Sequence, residues 1–450
     1  MNRVNEWIDA HKDELVEATA RLVRVPSVGA PAVEGHPFGD GVAAAMDEAL
    51  ALVAEWGFAT HNHEYYVCTA QWGEGDPRLG VLCHMDVVPE GVGWVHPPYG
   101  AVVEDGRLFG RGAIDDKGPT AATLFALRAI KECGIPLSAP CRVVMGGDEE
   151  TGSTDMEYYA TKEAFPPYVF SPDGHYPLIN TEKGRVQLAV TAPCEDDRLI
   201  AAWGGEALNA VPTDAWALVK GVADIPATVV GHKVEVTVEG DALRLVTHGV
   251  AAHGSMPEKG KNAVTALLEV LAALGIGGEA VKAAARCFPF AETGGDSAGA
   301  ACRDEQSGPL TLSLNRLRLE KGRLLAMADI RFPVTETVAS VQEKLHRGLD
   351  AHFTVSFENC VEGHHVPADS PFVQALLRVY EEQTGQPGRC LAIGGGTYVH
   401  EIPGGVAFGA EFPGTDNCMH GADEFIGVDE LVLNAKLIAH AILAVCGDNW

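Results

Sequence analysis

The sequence predicts an α/β protein with an α+β domain inserted into it, and two observations on patterning lead to this fold class. Residues 1–183 alternate helical stretches with apolar, strand-like stretches, as an open α/β sheet requires. Residues 184–363 instead contain paired stretches of alternating polar and apolar residues, each pair followed by a single helix. Residues 364–450 return to the first pattern, so we predict a discontinuous first domain, 1–183 and 364–450, and an inserted domain, 184–363.

The composition is that of a large, acidic globular protein. The chain has 450 residues, 46% of them hydrophobic, which is enough for the cores of two or three domains. Its 62 acidic and 33 basic residues give a net charge of −29, which repels nucleic acids and anionic membranes. There is no long apolar run, and the eleven cysteines form no closely spaced pair. We therefore expect a cytoplasmic protein with reduced thiols and with no nucleic-acid or membrane partner.

The first domain begins with an amphipathic helical pattern over residues 1–23, followed by three apolar strand candidates, 80–83, 142–145 and 168–170. A helix is predicted over residues 119–133, because a proline lies in its first turn. Each strand candidate runs directly into a polar motif. Since ligands bind at the strand ends of open α/β sheets, these motifs are candidates for a shared site.

The inserted domain is predicted from two strand pairs and two helices. The pairs are residues 233–246 and 310–331, and the helices are residues 262–274 and 338–353. The segment Glu320-Lys321-Gly322 has the composition of a hairpin turn. After the insertion, the pattern predicts a helix over 371–384, a glycine-rich loop at 394–396 and a closing helix over 428–445.

The first strand candidate ends in His84, and Asp86 follows on the same face because side chains alternate along a strand. If His84 binds a metal, Asp86 can accept the proton of its other ring nitrogen, which fixes the tautomer. Taken alone, the pair also fits a buried histidine–aspartate hydrogen bond. The second motif, 110–118, is rich in glycine and places Asp115 beside a second aspartate, an arrangement that a cation stabilises but that is also ordinary in a surface turn.

The remaining motifs place Glu149 and Glu150 after the second strand and Asp173 after the third, and His420 in a polar loop before the closing helix. Singly, these residues fit a solvated acidic loop, a turn and a surface histidine. Their ordered combination with His84 and Asp115 is implausible by chance. Two histidines and three carboxylates suit a pair of divalent metals, since two zinc ions balance three carboxylates and a bridging hydroxide.

This ordered set resembles the di-zinc peptidase family that contains aminoacylase, carboxypeptidase G, succinyl-diaminopimelate desuccinylase and carnosinase. The resemblance extends over the whole chain and rests on the motifs at 82–89, 110–119, 148–152, 171–174 and 419–420. The length and the segment 394–398 are most similar to the bacterial dipeptidases typified by PepV. The resemblance implies a zinc-peptidase catalytic domain that carries an inserted lid domain.

The resemblance also implies a role for each metal-site residue. His84 and Asp173 would bind one zinc ion. Glu150 and His420 would bind the other, and Asp115 would bridge the two, with Mn²⁺ or Co²⁺ as alternatives to Zn²⁺.

Beside the metal ligands, the resemblance makes Glu149 the general base and Asp86 the partner of His84. The peptide bond between Asp115 and Asp116 is expected to be cis.

In the inserted domain, His253 resembles the histidine that stabilises the oxyanion of the scissile amide. Asn209 and Arg331 match substrate-binding positions, as do Gly395 and Thr397 in the glycine-rich loop. An arginine suits a peptide carboxylate because its fork can contact both oxygens. Without the resemblance, Asn209 and Arg331 would be interpreted as ordinary turn and hairpin residues.

The implied activity is hydrolysis of unblocked dipeptides by a monomer whose large lid encloses a small peptide. One alternative is an amidohydrolase that acts on N-acyl amino acids or succinyl-diaminopimelate, which needs no pocket for a free amine. A non-catalytic peptide-binding protein is disfavoured, because such a protein could lose Glu149 freely and this chain retains it.

Overall fold

The computed structural model describes residues 2–222, 224–448 and 450. Its α-helices, in chain order, are α1 (Asn2–Ala10), α2 (Lys12–Val23), α3 (Asp40–Glu55), α4 (Lys117–Glu132), α5 (Thr154–Lys162), α6 (Ala263–Ala273), α7 (Gly278–Cys287), α8 (Val338–Gly348), α9 (Pro371–Thr384) and α10 (Val428–Cys446). Two short 3-10 helices span Pro257–Lys259 and Tyr398–Glu401.

The strands up to the middle of the chain are β1 (Ala59–His63), β2 (Val67–Trp72), β3 (Leu79–His84), β4 (Val102–Glu104), β5 (Arg107–Phe109), β6 (Cys141–Gly146), β7 (Tyr168–Ser171), β8 (Leu178–Glu182), β9 (Gly184–Pro193), β10 (Leu199–Gly204), β11 (Asp214–Lys220) and β12 (Thr228–Val229). They are followed by β13 (His232–Lys233), β14 (Glu235–Glu239), β15 (Ala242–His248), β16 (Arg303–Asp304), β17 (Gly308–Pro309), β18 (Thr311–Glu320), β19 (Arg323–Phe332), β20 (Thr354–Val361), β21 (His364–His365), β22 (Cys390–Ile393), β23 (Val406–Ala407) and β24 (Phe425–Gly427).

The described chain divides into two compact units. The first comprises Met1–Asn180, His365–Leu391 and Gly396–Trp450, and the second comprises Thr181–His364 and Ala392–Gly395. Residues 181–183 and 364, predicted in the first domain, belong to the second unit, and so does the short segment 392–395. The reason is its hydrogen bonding: the Lys183 N–H donates to the Ile393 carbonyl oxygen (2.9 Å) and Arg331 Nη1 donates to that of Gly394 (2.6 Å). The identification of the units as a catalytic domain and a lid stays a prediction.

The sheet of the first unit contains β1, β2, β6, β3, β7, β23 and β8 in that spatial order. At its centre, β3 pairs in parallel with β6 and with β7, while β2 pairs antiparallel with β6. Every residue of β3 is buried, as expected for a strand covered on both faces. Because the three parallel strands point the same way, the residues that follow β3, β6 and β7 emerge at one edge of the sheet.

Helices of the first unit pack together on the apolar sheet. α4 contacts α2 and α10, and the interior of this layer includes Leu22, Phe125 and Leu437, all fully buried. The helix predicted over 119–133 is confirmed with its start two residues earlier, and those predicted over 371–384 and 428–445 are confirmed as α9 and α10.

The N-terminal prediction of a single helix over 1–23 was wrong, since the chain forms α1 and α2 with a break at His11. The His11 ring lies against Trp7, with ring centroids 4.0 Å apart. Its Nδ1 is 2.7 Å from the Trp7 carbonyl oxygen, which also accepts the His11 N–H at 3.1 Å. Met1 lies outside the described residues.

The second unit is an antiparallel sheet in the order β14-β15-β11-β10-β18-β19-β9-β20, with helices packed on it. α6 lies on β11, β15 and β18, α7 on β19, and α8 on β9 and β20. The apolar residues between these layers form a separate core that includes Val190, Leu267 and Leu317. This helix-on-sheet arrangement confirms the predicted α+β class.

The predicted hairpin turn is confirmed in the second unit. Glu320 pairs with Arg323, and both residues between them, Lys321 and Gly322, have positive φ angles of 50° and 72°. This two-residue turn matches the twist of β18 and β19.

One helix prediction in the second unit needs correction, and one helix was missed. The helix predicted over 338–353 ends at Gly348, because Leu349 is extended (φ −72°, ψ 149°) and Asp350 Oδ1 accepts the His352 N–H at 3.0 Å in a turn. The alanine-rich helix α7 was not predicted.

Within the described residues, no helix combines the length and the apolar character needed to cross a membrane.

Burial of His440 on α10 gives a testable dependence of stability on pH. This side chain is 3% exposed, and its Nε2 lies 2.9 Å from Asn5 Oδ1. Loss of solvation on burial lowers the pKa of His440 from 6.5 to about 4. Between pH 6.5 and pH 4, His440 therefore binds a proton in the unfolded chain but not in the folded chain. The contribution of neutral His440 to the unfolding free energy is fully present above pH 6.5 and is lost as the pH falls towards 4.

His440→Gln keeps a hydrogen-bond donor but cannot titrate. We expect the drop in unfolding free energy from pH 7 to pH 4.5 to be about 2 kcal/mol smaller in this variant than in the wild type. Urea denaturation at both pH values measures this difference. Identical losses in the two proteins would contradict the assignment.

Candidate metal centre

The ends of the central strands carry four of the predicted site residues. His84 is the last residue of β3, Glu149 and Glu150 follow β6, and Asp173 follows β7. The Asp173 N–H donates to Ser171 Oγ at 3.2 Å, and that hydroxyl donates to the Leu82 carbonyl oxygen of β3 at 2.8 Å. The turn with Asp173 is thus fixed to the strand that ends in His84.

Asp115 lies between two histidines. Its Oδ1 is 2.8 Å from His84 Nε2, and its Oδ2 is 2.8 Å from His420 Nε2. His420 comes from the loop between β23 and β24 and has a positive φ of 59°. The Asp115–Asp116 peptide bond is cis, as expected, and the Asp116 side chain accepts the His84 N–H at 3.1 Å.

The other carboxylates surround this arrangement. His420 Nε2 is 3.4 Å from Glu150 Oε1, and His84 Nε2 is 3.7 Å from Asp173 Oδ2. Two groups of residues place their possible ligand atoms within 4.8 Å of one another inside each group. They are His84-Glu149-Asp173 and His84-Asp115-Glu150. The structure therefore brings together all five predicted metal ligands and Glu149.

The pKa values of the site residues are shifted because several acidic groups lie buried and close together. Burial raises the pKa of Glu149 well above its usual value and that of Asp173 to about 8. The hydrogen bond with Asp115 and the neighbouring Glu150 carboxylate raise the pKa of His420 to about 11. For Asp115, the hydrogen bonds from His420 and His84 outweigh the effect of burial and hold its pKa below the usual value.

The donor set fits a pair of divalent cations. Imidazole nitrogens and carboxylate oxygens are the ligands that zinc accepts, and an aspartate with one oxygen facing each histidine has the form of a bridge. Glu150 Oε1 is buried and makes no hydrogen bond among the described residues. A buried carboxylate oxygen of this kind needs a cation or donor, since leaving it unsatisfied costs free energy.

Asp86 has a wider role than the sequence suggested. His84 Nδ1 is 3.0 Å from the Asp86 main-chain oxygen and 3.4 Å from its carboxylate, so the main chain is the nearer partner. The carboxylate instead accepts the main-chain N–H groups of Glu149 (3.3 Å) and Glu150 (3.0 Å). Asp86 therefore connects the His84 strand to the turn with both glutamates.

Asp155 and Tyr398 are two supporting residues that the sequence did not reveal. Asp155 Oδ2 accepts the N–H groups of Gly147 (2.7 Å) and Asp148 (3.1 Å) and the Tyr398 hydroxyl (2.5 Å). A side chain at Gly146 would collide with both the Asp155 carboxylate and the Tyr398 hydroxyl, so glycine is required there. The tyrosine in the glycine-rich motif was the only available sequence signal.

The predicted substrate-binding residues divide between the units. His253, Asn209, Arg331 and Gly395 belong to the second, and Thr397 belongs to the first. The Gly254 N–H donates to the Asn209 carbonyl oxygen at 2.6 Å, which places the loop segments with Asn209 and His253 side by side. The roles of these residues stay predictions.

The surroundings of His253 and Arg331 fix their orientations. The Ser255 N–H donates to His253 Nδ1 at 3.2 Å, so the neutral ring carries its proton on Nε2. Arg331 Nε donates to the Asp329 carboxylate at 3.0 Å, while its Nη1 donates to the Gly394 carbonyl oxygen at 2.6 Å. Thr397 Oγ1 accepts the Val399 N–H at 3.4 Å.

The Tyr398–Asp155 hydrogen bond predicts a stability difference between two buried tyrosines. Tyr398→Phe removes a donor to a buried carboxylate and is expected to lower the unfolding free energy by about 2 kcal/mol. Tyr176 is the matched control, because its buried hydroxyl makes no hydrogen bond among the described residues. Tyr176→Phe should therefore be neutral or stabilising. Urea denaturation of both variants measures the difference, and equal effects would contradict the prediction.

Comparison with known proteins identifies the family. The model of Peptidase family M20/M25/M40 matches residues 80–444. YtjP of Bacillus subtilis (strain 168) is 36% identical over 452 residues, which cover 96% of this chain and 97% of that protein. The Beta-Ala-Xaa dipeptidase of Lactobacillus delbrueckii subsp. lactis is 32% identical over 465 residues, with 99% and 98% covered.

The crystal structure of human carnosine dipeptidase 1 has the same fold, with a TM-score of 0.65 and 18% identity over 99% of this chain and 98% of that one. The family model and the relatives above 30% identity confirm the family expected from the sequence motifs. Because the family model covers most of the chain and relatives above 30% identity align over nearly all of it, the chain belongs to peptidase family M20/M25/M40.

Proposed function

We propose that the protein is a metal-dependent dipeptidase that hydrolyses unblocked dipeptides. The observation that carries this proposal is the Asp115 carboxylate between His84 and His420, with the Glu149 side chain within reach of the same pocket. Membership of a peptidase family and likeness to a Beta-Ala-Xaa dipeptidase over almost the whole chain support it.

His84 and Asp173 would hold one cation and Glu150 and His420 the other, with Asp115 shared. When bound, such cations lower the pKa of water and polarise the scissile carbonyl group. We propose Zn²⁺ as the metal because the donors are imidazole nitrogens and carboxylate oxygens. Mn²⁺ and Co²⁺ are the alternatives.

Glu149 moves the proton in the proposed reaction. Its carboxylate accepts a proton from the attacking water and then donates it to the leaving amine, which is the work of a general base and acid. Burial raises the pKa of Glu149, which strengthens its carboxylate as a proton acceptor. Asp86 and Asp155 hold the main chain of this turn through their hydrogen bonds to N–H groups, so the carboxylate starts from a fixed position.

His253 would stabilise the oxyanion that forms as the amide carbon is attacked. Its proton on Nε2 makes that nitrogen a donor, as this role requires. Asn209, Arg331, Gly395 and Thr397 would bind the substrate, and Arg331 would contact the peptide carboxylate. The fixed orientation of the guanidinium by Asp329 and Gly394 supports this assignment.

We also propose that the protein is a cytoplasmic monomer. Its eleven cysteines form no disulfide in the described part of the chain, which suits a reducing compartment. Size-exclusion chromatography with light scattering tests the monomer.

The activity is tested by incubating protein loaded with Zn²⁺ or Mn²⁺ with unblocked dipeptides, including β-Ala-His, beside their N-acetylated forms, tripeptides and N-acyl amino acids. We expect cleavage of unblocked dipeptides alone, and its loss on addition of a chelator. Cleavage confined to acylated substrates would identify an amidohydrolase instead. Binding of dipeptides without turnover in the metal-loaded protein would identify a peptide-binding protein.

We expect Glu149→Ala to retain its metal but to lose about 10²- to 10⁴-fold in kcat, because it removes the proton acceptor and not a ligand. Steady-state kinetics and metal analysis of the same sample measure the two quantities. Glu157→Ala, an exposed position on α5, is the control and should keep wild-type kcat. Wild-type turnover in the metal-loaded Glu149→Ala protein would refute the role of Glu149.

A further inference from the structure

A buried ion pair between Arg111 and Glu424 lies next to the metal centre and has no part in the proposed chemistry. Arg111 Nη1 contacts Glu424 Oε2 directly, and the two side chains are 1% and 0% exposed. Arg111 lies between β5 and α4 and Glu424 immediately before β24, 313 residues further along the chain.

Glu424 contacts the main chain of the bridging ligand. Its Oε1 accepts the N–H groups of Ile114 at 3.0 Å and of Asp115 at 3.3 Å. These two N–H groups belong to the turn from which the Asp115 side chain projects towards both histidines. The position of the Glu424 carboxylate therefore sets the position of the Asp115 main chain.

Arg111 contacts the loop that carries the second histidine. Its Nη2 donates to the Gly421 carbonyl oxygen at 3.1 Å, one residue after His420. The same nitrogen is 3.3 Å from the Glu90 carbonyl oxygen, and the guanidinium lies 5.3 Å from the centre of the Trp94 ring. The pair thus holds the turn with Asp115 through Glu424 and the loop with His420 through Arg111.

This location argues for a role in positioning. His84 is fixed by a buried strand, whereas His420 is half exposed and lies in a loop outside the sheet. A buried ion pair is often no more stabilising than apolar side chains of similar volume, so stability alone is a weak reason for it. Groups that hydrogen-bond around metal ligands commonly set the affinity of a site by orienting those ligands.

We infer that the Arg111–Glu424 pair is a positioning device that sets the separation of Asp115 and His420 and thereby the affinity of the metal subsite formed with Glu150. The inference rests on the proposed metal-dependent function. It assigns Arg111 and Glu424 no contact with the substrate. They act on the reaction through the ligands, so their loss should weaken the binding of one metal ion while the ion held by His84 and Asp173 remains.

The test compares Glu424→Gln with the double variant Arg111→Met/Glu424→Leu. Glu424→Gln keeps the shape of the side chain and one acceptor oxygen. The double variant removes both charges and so leaves no unpaired buried ion. Arg142→Met is the control, because Arg142 also forms a partly buried ion pair in the first unit, with Glu163, at the start of β6. Zn²⁺ affinity is measured by competition with a chromophoric chelator, bound zinc by mass spectrometry, and folding by thermal denaturation.

We expect the wild type and Arg142→Met to bind two ions and both pair variants to bind one of them 10- to 100-fold more weakly. Activity of the pair variants should return as the Zn²⁺ concentration is raised, which a merely structural defect would not allow. Wild-type affinity for both ions in either folded pair variant would overturn the inference. Fewer than two ions in the wild type would overturn the proposed di-metal function itself, so the two failures are distinguishable.

Discussion

The Asp115 carboxylate is the group on which the rest of the site depends. Each of its oxygens lies 2.8 Å from an imidazole nitrogen, one on His84 and the other on His420. His84 ends a strand that is buried along its whole length, whereas His420 lies in a loop outside the sheet. Asp115 therefore joins the two halves of the proposed metal centre. Its main-chain position is consequently as important as its charge.

The turns around Asp115 are built on a common principle. Each turn directs its main-chain N–H groups at a buried carboxylate. The carboxylate is that of the distant Asp86 for residues 149 and 150, that of the nearby Asp155 for residues 147 and 148, and that of the distant Glu424 for residues 114 and 115. Such hydrogen bonds to charged acceptors are stronger than those between neutral groups. They fix the backbone of the site while the ligand side chains remain available. Precise placement of this kind is what proton transfer by Glu149 would need.

Local patterns predicted much of the fold and of the site. The apolar strands that became β3, β6 and β7, and the polar residues directly after them, were evident from periodicity and from the order of the motifs. The break at His11 was not evident, because it depends on the ring of His11 stacking on Trp7 and bonding its carbonyl oxygen. Segment 392–395 could not be assigned either, since its hydrogen bonds reach Lys183 and Arg331.

By itself the sequence determined which residues could bind metal, because histidines and carboxylates at strand ends form a recognisable ordered set. Tertiary structure alone decided how they are held. Asp86 was expected to bind the His84 ring through its carboxylate, and in the folded chain that carboxylate, 3.4 Å from the ring, also accepts N–H groups of the Glu149 turn. Arg111 and Glu424 are 313 residues apart, and Asp155 and Tyr398 are 243 apart. No local pattern encodes such pairs, because their hydrogen bonds exist only once distant loops have been brought together around one buried pocket.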